Sequence, residues 1–211
     1  MSGGPATGEW SVAMLVSSTP FQEARRRLSV AQPVVFVIDE DVEVRASLRS
    51  LIESAGWQAE TFRSGGEFLS RARVQVPSCL VLDIALPNLD GLHVEARVGD
   101  RPEMPVIFII TKPLVDHVVV AVVRNAIQRS RAELAHAARM QTLRERYASL
   151  SRREREVMTL VAAGLLNKQV GGELGISEIT VKAHRGNMMR KMQARSLAEL
   201  VNMAARLGQV N

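Results

Sequence analysis

Apolar residues in the first half of the chain form three short runs: VVFVI at 34–38, CLVLD at 79–83, which ends in an acid, and VIFII at 106–110. Runs of this length that are rich in branched residues predict strands buried on both faces, as in a parallel sheet. Between them lie apolar positions at helical spacing up to Gly56, and an alternating, strand-like stretch at 57–62. Strands that alternate with helices predict βαβ units, whose ligands bind at the carboxyl ends of the strands.

Residues 114–149 predict a long helix, with Ile127, Leu134 and Leu143 as sparse apolar positions among Arg, Ala and Gln. The segment VVVAVV at 118–123 fits either the start of this helix or a displaced strand, because periodicity alone does not decide between them.

The segment after residue 149 has the cap and stop residues of four short helices. Two caps are serines followed three residues later by glutamate, at Ser151 and Ser196, which is the spacing of a capping box. Glycines at 164 and 175 are the predicted ends of the first two helices. The predicted helix caps are Ser151, Asn167, Ser177 and Ser196.

These patterns predict an α/β plus all-α protein in which a doubly wound parallel sheet is joined by a helical linker to a four-helix domain. The N-terminal segment is rich in Ser, Gly, Pro and Thr and keeps no structural period, so we expect it to be a disordered tail. The predicted divisions are a tail at 1–31, a sheet domain at 32–128, a linker at 129–148 and a helix domain at 149–211.

Charge is unevenly distributed along the chain. Lys and Arg number 8 against 13 Asp and Glu in residues 32–116, 6 against 2 in 117–148, and 10 against 5 in 149–211. The basic second half indicates a polyanionic partner, although solvated helix faces would give the same balance. The single cysteine, Cys79, excludes a disulfide framework, and we find neither a membrane span nor a signal peptide, so we expect a cytoplasmic protein without a membrane partner.

Three carboxylates follow two of the predicted strands. Asp39 and Glu40 come directly after the first strand, and Asp83 ends the run at 79–83. Because the carboxyl ends of parallel strands meet at one edge of the sheet, these acids would share a site that suits Mg²⁺. The alternative is that the segment DED, Asp39 to Asp41, only initiates the following helix, since acidic residues favour helix N-termini.

The segments VVFVIDEDVEVRASLRSLIESAGW, CLVLDIALPNLDGL and VIFIITKP resemble the receiver domain of two-component response regulators. The resemblance implies that a sensor histidine kinase phosphorylates Asp83, and that Thr111 and Lys112 contact the phosphoryl group. By the same resemblance, the Mg²⁺ ligands are Asp39, Glu40, Asp83 and the backbone carbonyl of Ala85. Glu40 departs from the more usual aspartate, so we expect Mg²⁺ binding to survive in weakened form.

The spacing of Thr111 and Lys112 departs further from the receiver pattern. In that pattern the hydroxyl and the lysine end successive strands, separated by a crossover helix and a strand of about 20 residues in total. Here they are adjacent, which predicts a shortened, four-stranded receiver with VIFII as an exposed edge strand. Consecutive residues of a strand point to opposite faces, so both side chains face the phosphoryl site only if the chain turns sharply between them. We therefore expect impaired or altered switching.

The segment from LSRREREVMTLVAAG through SLAELVNMA resembles the helix-turn-helix domain of LuxR/FixJ-type regulators. The helix that follows the cap at Ser177 would enter the major groove of double-stranded DNA. We expect Val181, Met188 and Met192 to face inward and Lys182 to be the main base-reading residue. The predicted DNA-binding residues are Thr180, Lys182, Ala183, His184, Arg185, Gly186, Arg190 and Lys191.

The last predicted helix carries an apolar stripe, and the resemblance implies that it pairs two copies of the chain on DNA. The residues of this stripe are Leu197, Leu200, Val201, Ala204 and Leu207.

The leading interpretation is a DNA-binding transcriptional regulator of a two-component phosphorelay, phosphorylated on Asp83. One alternative keeps DNA binding but makes the sheet domain a phosphorylation-independent dimerisation or interaction module. Another is a phosphate-accepting signalling protein without a DNA target of its own. An enzyme is not indicated, because no Ser-His-Asp order, P-loop or G-x-G-x-x-G occurs in a suitable place.

Overall fold

The structure, a computed structural model, describes residues 31–83, 94, 98, 101–109 and 114–208. The predicted tail, apart from Ala31, lies outside these residues, as do Ala85, Thr111 and Lys112. In chain order the elements of the first part are β1 Val34–Ile38, α1 Val42–Ser54, β2 Gln58–Phe62, α2 Gly65–Ser70, β3 Ser78–Asp83, β4 Val106–Ile109 and α3 Asp116–Ala148. The elements that follow are α4 Arg152–Ala162, α5 Asn167–Leu174, α6 Glu178–Met192 and α7 Leu197–Arg206.

The four strands of the described residues form one parallel sheet in the order β2-β1-β3-β4. One face, through residues such as Val35 and Val37, packs against α1 and α3. The other face, through residues such as Phe36, packs against α2 and against Val94 and Val98. Helical cover on both faces is the doubly wound arrangement that the sequence predicts.

Strand β4 lies at the edge of the sheet, and its burial differs from that of the central strands. Every residue of β1 and β3 is buried, whereas Phe108 of β4 is 40% exposed. The apolar run alone predicted a strand buried on both faces, which is wrong for β4 because a strand at the edge has a neighbour on only one side. The edge position itself agrees with the prediction of a four-stranded receiver.

Helix α3 has 33 residues, and the ambiguous segment 118–123 lies within its first turns. Val123 and Ile127 are buried against the sheet, whereas Val118 and Val122 are 49% and 41% exposed. Ser130, with no exposed surface, accepts a hydrogen bond from the Ser78 N–H at 2.9 Å and donates one to the carbonyl of Glu103. The predicted linker is therefore the continuation of a helix that begins within the sheet domain.

Helices α4 to α7 enclose a second core, which also includes the end of α3. Leu143 of α3 is buried in this core, and Met140 and Tyr147 pack against it. The core accounts for the predicted inward face of α6, since Val181, Met188 and Met192 have no exposed surface. Within the described ranges, no helix is both long and apolar enough to cross a bilayer.

Three of the four predicted caps are confirmed. Ser151 forms a complete capping box with Glu154, and the side chains of Ser177 and Ser196 each accept a backbone N–H of the helix that follows. The cap predicted at Asn167 is wrong, because α5 starts there. The preceding Leu166 N–H donates to the side chain of Gln169 at 2.8 Å.

The apolar stripe on α7 is largely occupied within the chain. Leu200 and Ala204 have no exposed surface, and Val201 and Leu207 pack against the same core, while Leu197 is 40% exposed. This face covers the domain's own core because α7 packs on α4. A contact between two copies through α7 would therefore use Leu197 and the part of the helix surface that does not cover this core.

Two adjacent glycines in α5 have different surroundings. Replacing each of them by alanine should therefore have opposite effects on the stability of the domain. A Cβ on Gly171 would lie 2.8 Å from the carbonyl oxygen of Ile176, whereas a Cβ on Gly172 would meet nothing within 4 Å. Gly172→Ala should therefore raise the free energy of unfolding by up to about 1 kcal/mol, the helix-propensity difference. Gly171→Ala should lower it, because the backbone of the turn would have to move. Thermal unfolding of the two variants checks this, and a lower melting temperature for Gly172→Ala would contradict it.

Candidate functional site

Asp39 and Asp83 lie at the carboxyl ends of neighbouring strands. Ile38 of β1 is the register partner of Leu82 of β3, and the two aspartates are the next residues on each strand. Adjacent strands are about 4.8 Å apart, so the two side chains start from neighbouring positions. They are 1% and 6% exposed. The two carboxylates are therefore buried at the same edge of the sheet, as the sequence predicts.

The acidic residues in the loop that follows β1 form different hydrogen bonds. Asp41 caps α1, since its carboxylate accepts the N–H groups of Glu43 at 2.8 Å and Val44 at 3.4 Å. The Asp41 N–H in turn donates to Oδ1 of Asp39 at 2.9 Å. The alternative that acids here initiate the helix is thus true of Asp41.

Arg45 holds the same loop from the first turn of α1. Its Nη1 donates to the carbonyl oxygens of Asp39 at 2.7 Å and Glu40 at 2.8 Å. The Glu40 side chain is exposed, unlike that of Asp39. The structure therefore places one acid of the predicted pair in the sheet interior and the other at the surface.

The structure describes only part of the predicted Mg²⁺ site. Among the residues that the structure describes, no three His, Cys, Asp or Glu side chains form a group that could hold a metal ion. Asp39 and Asp83 supply two carboxylates, which are the donors that Mg²⁺ takes from proteins together with several waters. The carbonyl predicted at Ala85 and the phosphoryl contacts predicted at Thr111 and Lys112 lie outside the described residues.

Helix α6 presents two opposite faces. The buried face is the one formed by Val181, Met188 and Met192. The opposite, solvent-exposed stripe, here called the groove face, has the spacing i, i+3, i+4, i+7, i+11 of one side of a helix. Its residues are Ile179, Lys182, Ala183, Gly186 and Arg190. Ile179 was missed by the sequence reasoning, although its spacing from Lys182 and Ala183 could have indicated it.

Among the residues that the structure describes, the two cations of the groove face have partners at the surface. Lys182 Nζ lies 3.1 Å from Oε1 of Glu178, and both side chains are largely exposed. Arg190 Nη2 donates to Oδ1 of Asn187 at 3.0 Å. Exposed pairs of this kind contribute little free energy, so both cations are available to a polyanion at small cost.

Two further cations predicted to bind DNA have partners within the helix domain. Lys191 Nζ donates to Oε2 of the buried Glu154 at 2.7 Å, and Arg185 Nη1 donates to Oδ1 of Asn167 at 3.1 Å. Lys191 therefore balances a buried acid, and Arg185 ties α6 to the start of α5. The sequence pattern alone did not reveal these partners, because they come from distant parts of the chain.

Thr180 and His184 lie at the margins of the groove face. Both side chains are half-buried, and Thr180 Oγ1 lies 2.8 Å from Oγ of the cap residue Ser177. Their predicted contacts with DNA are compatible with these positions and stay predictions.

The buried pair of Glu154 and Lys191 predicts a pH dependence of stability. Burial raises the pKa of Glu154, but hydrogen bonds from Lys191 and Ser151 outweigh it, so that the pKa lies below its ordinary value. A lowered folded-state pKa contributes stability that is present above the unfolded-state value, about 4.3, and is lost as the pH falls through the folded-state pKa. Glu154→Gln should therefore lower the stability of the helix domain at pH 7 by about 1.5–3 kcal/mol, the range for a hydrogen bond to a charged group.

Thermal unfolding at pH 7 and in steps down through the acid range measures this effect, and the difference from the unchanged chain should shrink at the acid end. Glu156→Gln is the matched control, because Glu156 pairs with Arg152 and Arg153 at the surface. A gap for Glu154→Gln that stays constant across this range would contradict the assignment.

Comparison with known proteins agrees with both parts of this geometry. The family described as "Response regulator receiver domain" matches residues 35–129, and that described as "Bacterial regulatory proteins, luxR family" matches residues 148–204. Nodulation protein W of Bradyrhizobium diazoefficiens is 38% identical over 196 residues, covering 83% of this chain and 86% of that protein. The transcriptional regulatory protein FixJ of the same organism is 34% identical over 198 residues, covering 84% and 97%.

The structure of the response regulator StyR is 34% identical, with a TM-score of 0.74, and covers 83% of this chain and 100% of that chain. The chain therefore belongs to the two-component response regulators with a LuxR-type DNA-binding domain. Its α/β part is a four-stranded receiver sheet and its C-terminal part is the helical domain of that family, which supports a role in the regulation of transcription.

Proposed function

We propose that this chain is a transcriptional regulator that binds double-stranded DNA through the groove face of α6 and accepts a phosphoryl group on Asp83 from a sensor histidine kinase. The observation that carries the first part is the division of α6 into a fully buried apolar face and an opposite exposed face with Lys182 and Arg190. A helix held rigidly by one face can insert the other into a major groove.

Phosphoryl transfer would use the two buried aspartates. A carboxylate oxygen of Asp83 attacks the phosphorus atom of the donor, forms an acyl-phosphate bond and releases the donor group. Asp39 and Glu40 would hold Mg²⁺ together with Asp83 and the Ala85 carbonyl. When bound, the ion supplies positive charge to the phosphoryl oxygens. Arg45 fixes the backbone of the loop that carries Asp39 and Glu40.

A shortened receiver is part of the proposal. The alignment with nodulation protein W spans 196 positions but covers only 83% of the 211-residue chain, so it includes gaps in this chain. This supports the loss of the crossover helix and strand that normally separate the hydroxyl from the lysine. We also propose the predicted division of the chain into tail, receiver, linker and DNA-binding domain. The core of the DNA-binding domain is extended back to Met140.

The proposal is tested with acetyl phosphate and Mg²⁺. The chain should gain the mass of one phosphoryl group, and Asp83→Asn should not. If the receiver switches, the affinity for a duplex selected from a random pool should change on phosphorylation of the chain and stay constant for the variant. Binding itself should weaken steeply with salt, as expected when Lys and Arg displace counterions from DNA. A chain that binds no duplex at low salt would contradict DNA recognition, and an absent mass gain would contradict phosphorylation.

A second candidate is a regulator whose receiver acts without phosphorylation, as a dimerisation or interaction module. Exposed apolar side chains in two places favour it. Phe108 is exposed on β4, and Val115, Val118 and Val122 are exposed at the start of α3. The second candidate predicts equal duplex affinity for the chain and for Asp83→Asn in acetyl phosphate.

Pairing of two copies through α7 also stays a proposal. Because most of its apolar stripe covers the domain's own core, the available contact is smaller than the sequence indicated. Sedimentation of the chain with a palindromic duplex, compared with a single half-site, measures whether two copies assemble.

A further inference from the structure

Ile179 is the most exposed large apolar side chain in the part of the chain that the structure describes. It is 80% exposed, more than Leu166 at 71%. It is the second residue of α6 and lies on the groove face, one turn before Lys182. An exposed isoleucine at this position calls for an explanation beyond the fold.

The fold does not account for this residue type. Ile179 does not belong to the core of the helix domain, in contrast to its neighbour Val181, which has no exposed surface. A β-branched residue also has a lower helix propensity than Ala, Lys or Glu, so an isoleucine does not improve the helix. Ser177 and Glu178 already provide the cap and the acidic first turn.

The position of Ile179 is defined by the residues around it. The N-terminal residues of a recognition helix are those that contact base edges. Lys182 and Ala183 follow at i+3 and i+4 on the same face. At a rise of about 1.5 Å per residue, Ile179 and Lys182 are separated by about 4.5 Å along the axis. This is close to the spacing of neighbouring base pairs, about 3.4 Å.

In the major groove, the apolar group that a base edge offers is the C5-methyl of thymine. We propose that Ile179 is a specificity-determining residue that packs on a thymine methyl group at a base pair next to the one contacted by Lys182. This inference rests on the proposed DNA-binding function and adds the identity of a second base reader. Lys182 reads by hydrogen bonding, and Ile179 reads by apolar contact.

The test removes only the C5-methyl group of thymine from the duplex. The full-length chain is first used to select a duplex from a random pool. Each thymine of that duplex is then replaced, one at a time, by deoxyuridine, which keeps the base pairing and lacks the C5-methyl. One replacement should weaken binding of the unchanged chain by roughly fourfold, the factor for about 0.8 kcal/mol of one buried methyl-sized group.

The variant Ile179→Ala should bind the thymine duplex roughly fourfold or more weakly and should bind the thymine and deoxyuridine duplexes equally. Leu166→Ala is the matched control. Leu166 is also exposed, its hydrogen bond to Gln169 uses its backbone, and it lies outside α6. It should keep the full thymine–deoxyuridine difference. Because Ile179 is outside the core, both variants should melt as the unchanged chain does.

The outcomes separate this inference from the proposed function. Suppose that the chain binds the selected duplex in a salt-dependent way, but that Ile179→Ala abolishes the methyl effect at none of the thymines. This result would overturn the role of Ile179 and leave DNA recognition intact. A methyl effect that persists at the same position in Ile179→Ala would do the same. A chain that binds no duplex at low salt would overturn the proposed function and this inference together.

Discussion

Replacing Lys182 by alanine should weaken binding to the selected duplex by about 5- to 150-fold. This range corresponds to the 1–3 kcal/mol of discrimination that one good side-chain–base contact provides. Lys182 lies on the groove face, and its side chain is 62% exposed. To contact a base it has to break one surface ion pair, with Glu178, and exposed pairs of this kind contribute little free energy. Fluorescence anisotropy with the selected duplex and with a scrambled duplex measures the effect.

The charge-matched control is Arg152→Ala. The Arg152 side chain is 92% exposed on α4 and pairs with Glu156, so its loss changes the net charge by the same amount at another element. A base-reading Lys182 predicts a large loss on the selected duplex and a small one on the scrambled duplex. Equal losses on both duplexes would assign Lys182 to phosphate binding, and the absence of any loss would contradict its role in recognition.

Truncating Leu143 to alanine should destabilise the DNA-binding domain by about 2–5 kcal/mol, the range for removing a buried leucine. Leu143 belongs to α3, which begins in the receiver, but its side chain is 7% exposed within the core formed by α4 to α7. The cavity would thus open in the DNA-binding domain. Hydrogen exchange measured by peptide should show faster exchange in α4, α6 and α7 and unchanged exchange in β1 and β3.

Leu134→Ala on the same helix is the matched control, because Leu134 is half-buried and belongs to none of the three buried clusters of the described residues. It should destabilise the DNA-binding domain much less. Equal effects of the two variants would mean that the end of α3 is a linker rather than a part of that domain.

The continuity of α3 bears on signalling as well as stability. Its first half is anchored by Val123, Ile127 and Ser130 in the receiver, and its last turns are anchored by Leu143 in the DNA-binding domain. A single helix of 33 residues is about 50 Å long and transmits rotation or displacement better than a flexible chain would. We therefore expect a change at the receiver sheet to reach the groove face through α3.

Much of the secondary structure is predictable because it depends on local pattern. The apolar runs gave strands within one residue of β1, β3 and β4, and the serine caps correctly started α4, α6 and α7. The segment 118–123 was undecidable from its own residues, since six apolar positions in a row fit a strand and a buried helix equally. It became helix because it continues into α3 and only one side of it meets the sheet.

The candidate sites were also predictable only in part from the local sequence pattern. The pattern placed Asp39 and Asp83 together because parallel strands align their carboxyl ends, and the structure brings them to adjacent strands. It could not separate Asp41, which caps α1, from Glu40, whose side chain is exposed.

The sequence by itself determined the parallel sheet, the four C-terminal helices and which side of α6 is buried, because each of these follows from the periodicity of apolar residues over a few turns or strands. Only the tertiary structure decided which cations are available to DNA. Lys191 and Arg185 are bound to Glu154 and Asn167, residues 37 and 18 positions away in the chain, whereas Lys182 and Arg190 pair with near neighbours. Long-range pairs of this kind depend on how helices pack, and no local pattern of charge contains that information.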